Sequence, residues 1–355
     1  MDKIRVYIYG LMTDQRRGII AFLAKIVLRI CSYAYWLLLK FSYIVMRLSG
    51  IKRLDCPVVS VGNITMGGTG KTPFVEMLAA HLTRKGKKVG ILIRGYGADE
   101  VKLLKEKLPN VSISVGRDRV KKGRELQARN KVDVVLMDDG FQHRRLKRDI
   151  DIVLIDGTNP FGNGVLLPRG ILREPVNSLD RAGIIVVNKS DMSPDGLKRV
   201  DDMMHDLNIS APMVESRYIL EGIYRIDENI KANEAVNIDR FANRGVGIMS
   251  SIANPGYFKW MMKENGAKIV DEISYPDHHD YTAAEIMSSM SRLRSSGAEA
   301  ILVTEKDAVK IRPIAGELMK GSQVEMLPFW AVSIKVEILK GKEEFFGRLH
   351  RLLHI

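Results

Sequence analysis

The sequence predicts an α/β protein of the P-loop NTPase type, with a mostly parallel sheet flanked by helices, a second smaller α/β domain and an N-terminal membrane-associated helix. Three observations predict it. From residue 57 onward, short β-branched runs alternate with helical stretches, the pattern of parallel strands joined by crossover helices. One such strand runs into a glycine-rich loop, Gly62 to Pro73, and then a helical stretch. The first 55 residues are apolar, aromatic and basic.

That N-terminal segment, residues 1–55, is the first expected part of the chain. It holds ten basic and three acidic residues, so +7 of the net charge of +13 lies there. A basic patch suggests nucleic acid, but basic residues within an apolar, aromatic stretch point to an anionic lipid leaflet instead. Lys25, Arg29 and Lys40 interrupt the apolar run from Gly18 to Leu48, which argues for a helix lying on the membrane rather than crossing it. Lys25, Arg29, Ser32, Trp36, Lys40, Tyr43 and Arg47 recur at steps of three and four and form one polar stripe, expected in the headgroup layer. No secretory cleavage site is evident.

The body is expected to divide near residue 210, into a nucleotide-binding domain (56–210) and a second α/β domain (211–355). Strands are predicted at 58–61, 89–93, 111–115, 132–137, 152–155 and 184–187, then at 246–249, 268–273 and 300–303. The two cysteines, Cys31 and Cys56, exclude a disulfide framework or a cysteine-built zinc cluster.

Strand, glycine-rich loop and helix in that order make a phosphate cradle. Thr65, Met66, Gly67, Gly68, Thr69, Gly70, Lys71 and Thr72 form the candidate nucleotide-binding set. Lys71 supplies a cation at the β- and γ-phosphates, and the Thr72 hydroxyl a ligand for Mg²⁺. The loop carries Thr65 where the G-x-x-x-x-G-K-T spacing has glycine. Asp138 and Asp139 end the strand predicted at 132–137 and are the Mg²⁺ candidates, with the choice between them open. Arg94-Gly95-Tyr96-Gly97 follows another strand end, where ligands of such sheets collect. Asn188-Lys189-Ser190-Asp191 matches the guanine-reading N-K-x-D pattern, so a P-loop GTPase or nucleotide-dependent regulator is the competing expectation. In the second half, Asp277-His278-His279-Asp280 suggests a general-base assistant rather than zinc, and Thr304-Glu305-Lys306-Asp307 a polar rim or helix cap.

Taken in order, the loop, Arg94 to Gly97, Asp138-Asp139-Gly140-Phe141-Gln142-His143, Phe161-Gly162-Asn163-Gly164, Leu167-Pro168, Arg173-Glu174, Asp277-His278-His279 and Thr304 to Asp307 resemble the tetraacyldisaccharide 4'-kinase family of lipid A assembly. The Thr65 departure resembles that family too. The resemblance implies an ATP-dependent lipid kinase acting on the 4'-hydroxyl of tetraacyldisaccharide 1-phosphate at the cytoplasmic face of the bacterial inner membrane. ATP and Mg²⁺ are the implied cofactors, the lipid and the anionic leaflet the implied partners; no nucleic acid and no obligate protein partner are expected. It also implies Asp99 as catalytic base, by similarity of Ala98-Asp99-Glu100-Val101 to a G-D-E-P segment, with His278 orienting or relaying. Lys71 and Asp139 complete the catalytic set. Arg94, Glu100, Arg117, Arg119, Gln142, His143, Arg173 and Glu174 are candidates for substrate contact. With Asp99 and His278 expected in different halves, closure of the second domain would complete the site and exclude water.

Overall fold

The computed structural model describes residues 2–48, 50–95, 98–226, 235–321 and 327–355. Two N-terminal helices, α1 (Asp2–Met12) and α2 (Ile19–Leu48), precede the sheet. The following elements are β1 (Val58–Gly62), α3 (Lys71–Arg84), β2 (Val89–Ile93), α4 (Ala98–Lys107), β3 (Ser112–Val115), α5 (Arg119–Asn130), β4 (Val134–Asp138), β5 (Ile150–Asp156), β6 (Ile184–Asn188), α6 (Pro194–Asp206) and β7 (Met213–Arg225). The rest comprises β8 (Gly245–Ser250), α7 (Pro255–Glu264), β9 (Lys268–Ser274), α8 (Ala283–Ser295), β10 (Ala300–Thr304), α9 (Glu305–Gly321), β11 (Phe329–Lys340) and α10 (Lys342–Leu353).

By their contacts the residues form two units. The first is Met1–Tyr96, Leu108–Arg217 and Val336–Ile355; the second is Gly97–Lys107 and Tyr218–Lys335. In the first, the strand order is β3-β2-β4-β1-β5-β6-β7, and β1 is parallel to both β4 and β5. β1, β2, β4 and β6 are buried along their whole length, as their Val- and Ile-rich sequences require of strands covered on both faces. In the second, the order is β11-β10-β8-β9, again parallel. β7 and β11 each carry the chain from one unit to the other.

The contact boundary differs from the division expected near residue 210 in two respects. The C-terminal helix α10 packs within the first unit, where Phe345 meets Phe74 of α3 edge-on. Residues 97–107 belong to the second, because α4 packs on α9: Lys306 pairs with Glu100 at 3.2 Å and Lys107 with Glu305 at 2.6 Å. Asp99 and His278 therefore fall in one unit rather than in two halves.

The stripe on α2 is divided: Arg29, Lys40 and Arg47 are exposed, while Ser32 is buried and Lys25, Trp36 and Tyr43 are partly covered. Ser32, expected at the headgroups, is 4% exposed; its hydroxyl donates to the Leu166 carbonyl at 2.9 Å and accepts from the Arg169 N–H at 3.1 Å. Lys25 pairs with Asp14 at 2.6 Å, and Tyr43 lies under the Arg144 guanidinium. The reason is hydrogen bonding: the loop at 161–173 offers polar partners that an apolar stripe would leave unpaired. What α2 turns outward is its apolar remainder, including Phe22, Leu23, Ile26, Ile30, Leu37, Phe41 and Ile44, flanked by exposed Arg29, Lys40 and Arg47. By length and composition α2 could also cross a membrane.

Candidate active site

The glycine-rich loop leaves the carboxyl end of β1 and enters α3 through Gly70, whose φ of 93° lies in the left-handed region that glycine adopts without strain. The first turn of α3 thus begins at Lys71 and Thr72, with the helix N-terminus directed at the loop. Thr65 is buried and bridges to Leu172, and the Met66 N–H donates to the Ile171 carbonyl at 2.6 Å. Residues 171–173 therefore flank the loop entry. Thr69 is 2% exposed, and its hydroxyl makes no hydrogen bond among the described residues.

The tandem acids sit beside this loop because Asp138 pairs in register with Val61 of β1. Their environments differ. The Thr72 hydroxyl lies 3.5 Å from the Asp138 carboxylate. Asp139 turns aside at a φ of 50°, and its carboxylate takes two bonds from the Arg173 guanidinium, at 2.7 and 3.2 Å, with Lys71 Nζ at 3.6 Å. Burial alone would raise the Asp139 pKa; the Arg173 hydrogen bonds and the charges of Lys71, Arg173 and Arg119 instead hold it down at about 2. Arg119, buried at the start of α5, donates to the carbonyls of Asp138 and Asp139 at 2.6 and 2.9 Å. It fixes the backbone of the pair rather than a carboxylate.

Arg94 and Arg117 are exposed just after β2 and β3, at the same carboxyl edge as the loop. Gln142 donates to the Asn63 carbonyl at 2.8 Å, and Asn63 accepts from Arg173 at 3.1 Å. His143 is held neutral, with burial first and Arg119 and Arg148 next lowering its pKa to about 4. Glu174 is fully buried and paired with Arg144 and Arg181, so its carboxylate is engaged within the fold. In the second unit, Lys306 reaches Asp277 and His278 Nε2, each at 3.3 Å, besides Glu100. His278 has a φ of 62°, and its N–H donates to the Ser251 carbonyl at 3.3 Å. Asp307 is fully buried and accepts from Ser251, Tyr281 and Thr304. The Thr304 hydroxyl in turn accepts from the Asp307 N–H at the start of α9, a helix cap. The Asp99 side chain, with Tyr96 and Gly97, lies outside the described residues.

Two residues of the N-K-x-D pattern brace the loop. The Asn188 amide donates to the Thr69 carbonyl at 3.0 Å, and Lys189 Nζ donates to the Gly68 carbonyl at 3.1 Å and to Asp156. Sequence reasoning also missed Asn63 and Lys306 as site-building residues. Asn63 lies within the glycine-rich loop, but nothing in its spacing announces a partner as distant in sequence as Arg173.

A parallel sheet with strand, phosphate loop, helix and an adjacent strand-end carboxylate defines a P-loop nucleotide-binding protein. The profile of the tetraacyldisaccharide-1-P 4'-kinase family matches residues 24–101 and 98–354. Curated relatives include the tetraacyldisaccharide 4'-kinase of Anaeromyxobacter dehalogenans, 35% identical over 82% of this chain and 80% of that protein. The tetraacyldisaccharide 4'-kinase of Bdellovibrio bacteriovorus is 32% identical over 86% and 90%. Among solved structures, LpxK from Aquifex aeolicus in complex with ATP superposes with a TM-score of 0.69 at 28% identity, covering 93% of this chain and 99% of that one. The chain belongs to the tetraacyldisaccharide 4'-kinase family.

Proposed function

We propose that the protein transfers the γ-phosphoryl group of ATP to the 4'-hydroxyl of tetraacyldisaccharide 1-phosphate, on the cytoplasmic face of a bacterial inner membrane. The observation that carries this reading is the phosphate loop with Lys71, Thr72 and Asp138 at its mouth, inside a chain matched by the family profile from residue 24 to 354. The GTPase alternative at Asn188–Asp191 is not favoured: the family is a kinase family, and the Asn188 and Lys189 side chains are engaged in holding the loop.

Phosphoryl transfer requires position and charge neutralisation more than a strong base. Lys71, steadied by Asp139, would neutralise charge on the transferring phosphoryl group. The buried Thr69 hydroxyl, without a hydrogen bond among the described residues, and the N-terminus of α3 suit phosphate oxygens. Thr72 and Asp138 offer the hard oxygen donors that Mg²⁺ takes beside phosphates, and would hold it; when bound, the ion would supply Lewis-acid charge neutralisation. Asp99 would accept the proton of the sugar hydroxyl. His278, steadied by Lys306, would orient it. Arg94, Arg117, Gln142 and neutral His143 are the proposed contacts to sugar and 1-phosphate, with Arg119 and Arg173 shaping the floor of that region. The outward apolar face of α2 would lie in the leaflet and bring the loop to the headgroup plane.

Incubation of the purified chain with γ-labelled ATP, Mg²⁺ and disaccharide 1-phosphate lipid should put label into the organic phase. Label confined to inorganic phosphate would reject the acceptor assignment, and transfer from GTP alone would restore the guanine reading.

A further inference from the structure

The outward face of α2 concerns the membrane, whereas its inward face bears on the chemistry. Among the inward residues, Tyr35 donates its hydroxyl to the backbone carbonyl of Arg173 at 2.9 Å. Arg173 is the residue whose guanidinium forks onto Asp139 and reaches Asn63. Its own N–H donates to the Ile64 carbonyl at 2.7 Å, at the entry to the phosphate loop. One turn earlier on α2, Ser32 holds the same loop from the other end, through Leu166 and Arg169. Between these anchors the loop is pinned on itself, with the Leu167 N–H on the Leu172 carbonyl at 2.8 Å and the Leu172 N–H on the Val165 carbonyl at 3.1 Å. All these residues belong to one unit.

We infer that Tyr35, supported by Ser32, is a positioning residue for phosphoryl transfer, which ties the seating of α2 to the placement of the Arg173 guanidinium against Asp139. The chemistry favours this role over a simple packing contact. Burial raises the Tyr35 pKa, with Glu174 adding to the rise and Arg173 opposing it, so the phenol stays a donor throughout the neutral range. A carbonyl held at 2.9 Å fixes the backbone of the residue it belongs to. An arginine bonded at two nitrogens tolerates little displacement before one arm of its fork is lost. Because α2 presents its apolar face outward, any force the leaflet exerts on the helix bears on the same hydroxyl that holds Arg173. Activity on lipid at an interface should then depend on Tyr35 in a way that membrane affinity does not.

The inference rests on the kinase reading of this site, and one experiment separates the two. The full chain and its Tyr35→Phe variant, which loses one oxygen and keeps the ring, are assayed for phosphorylation of disaccharide 1-phosphate lipid in vesicles of phosphatidylethanolamine and phosphatidylglycerol. The same vesicles are used for sedimentation. We expect kcat to fall ~5- to 10-fold in Tyr35→Phe, the size of one lost hydrogen bond, with the KM for ATP and the sedimented fraction unchanged within about twofold. The change is then repeated on an Arg173→Lys background, which keeps the charge and loses the fork. If Tyr35 acts through Arg173, the second loss is less than about twofold, far short of the product of the two single effects. Ser32→Ala, the independent variant, should lower kcat in the same direction. A Tyr35→Phe kcat within twofold of the parent overturns the inference, as does a full multiplicative loss on the Arg173→Lys background or a matching loss of sedimentation. A parent chain that labels no lipid overturns the kinase reading, and this inference with it.

Discussion

Asp138 and Asp139 are neighbours of one chemical type, and their surroundings give them different work. Asp138 faces the Thr72 hydroxyl, while Asp139 is bound into the cluster of Arg173, Lys71 and Arg119. Sequence could place the pair at a strand end but could not divide it, because the dividing residue, Arg173, arrives from a loop distant in the chain. We expect Lys71→Ala to lower kcat at least ~100-fold, the loss typical of removing a donor aimed at developing charge, measured as label transferred to lipid. Asp139→Asn should also cost stability, about 2 kcal/mol by urea denaturation, since it takes the carboxylate from the partly buried Arg173 and Lys71; Asp138→Asn should cost less stability and instead raise the Mg²⁺ concentration needed for half-maximal rate. His143 gives a pH test. Its folded pKa of about 4 lies below the ordinary imidazole value of 6.5, so between those values the unfolded chain binds the extra proton. Its contribution to stability is therefore present above pH ~6.5 and lost as pH falls towards 4, on the order of 2 kcal/mol once solvent screening is allowed for. Replacing His143 by Gln should flatten the dependence of the melting temperature on pH across that window.

At the scale of elements, most strands legible in the sequence are Val- and Ile-rich runs buried on both faces, although the half-exposed β3 and β9 also lie within a residue of their expected positions. β1, β2, β6 and β10 lie within a residue of their expected positions. β7 and β11 were not predicted. Buried and half-exposed residues alternate over the first half of β7, whereas β11 starts with five buried residues and opens out after Ser333; the charged positions Glu215, Arg217, Lys335 and Glu337 break the apolar runs that marked the other strands. The α2 stripe was legible as a period, but not the inward turn of Ser32 within it, since a hydroxyl is satisfied equally in headgroups or by a loop carbonyl such as that of Leu166. Close approach of elements also sets a test. A Cβ on Gly62 would meet Phe141 Cβ at 2.5 Å and its backbone nitrogen at 2.7 Å, so β1 and the 140–146 loop touch only because residue 62 has no side chain. Gly62→Ala should destabilise the fold by about 2 kcal/mol or more, the cost of overpacking against backbone, and raise the KM for ATP because the strand end carries the phosphate loop.

At the scale of the whole molecule, charge and apolar surface are distributed unequally along the chain, and the inequality sets a test of the proposed membrane contact. The net charge of +13 includes +7 within the first 55 residues, where Arg29, Lys40 and Arg47 flank the outward apolar face of α2. Each basic group near an anionic surface contributes about 1 kcal/mol, attraction that decays within a Debye length. Burial of the apolar face does not decay in this way. The two contributions therefore separate under salt. Raising ionic strength from ~0.1 M to ~1 M shortens the Debye length from about 10 Å to about 3 Å, and should release part of the protein from phosphatidylglycerol vesicles while leaving binding to neutral vesicles little changed. Complete release at high salt would mean that α2 is held by charge alone and its apolar face stays out of the leaflet. Binding equal on neutral and anionic vesicles at every salt would mean that the basic flank plays no part. Deleting residues 1–50 should abolish both components.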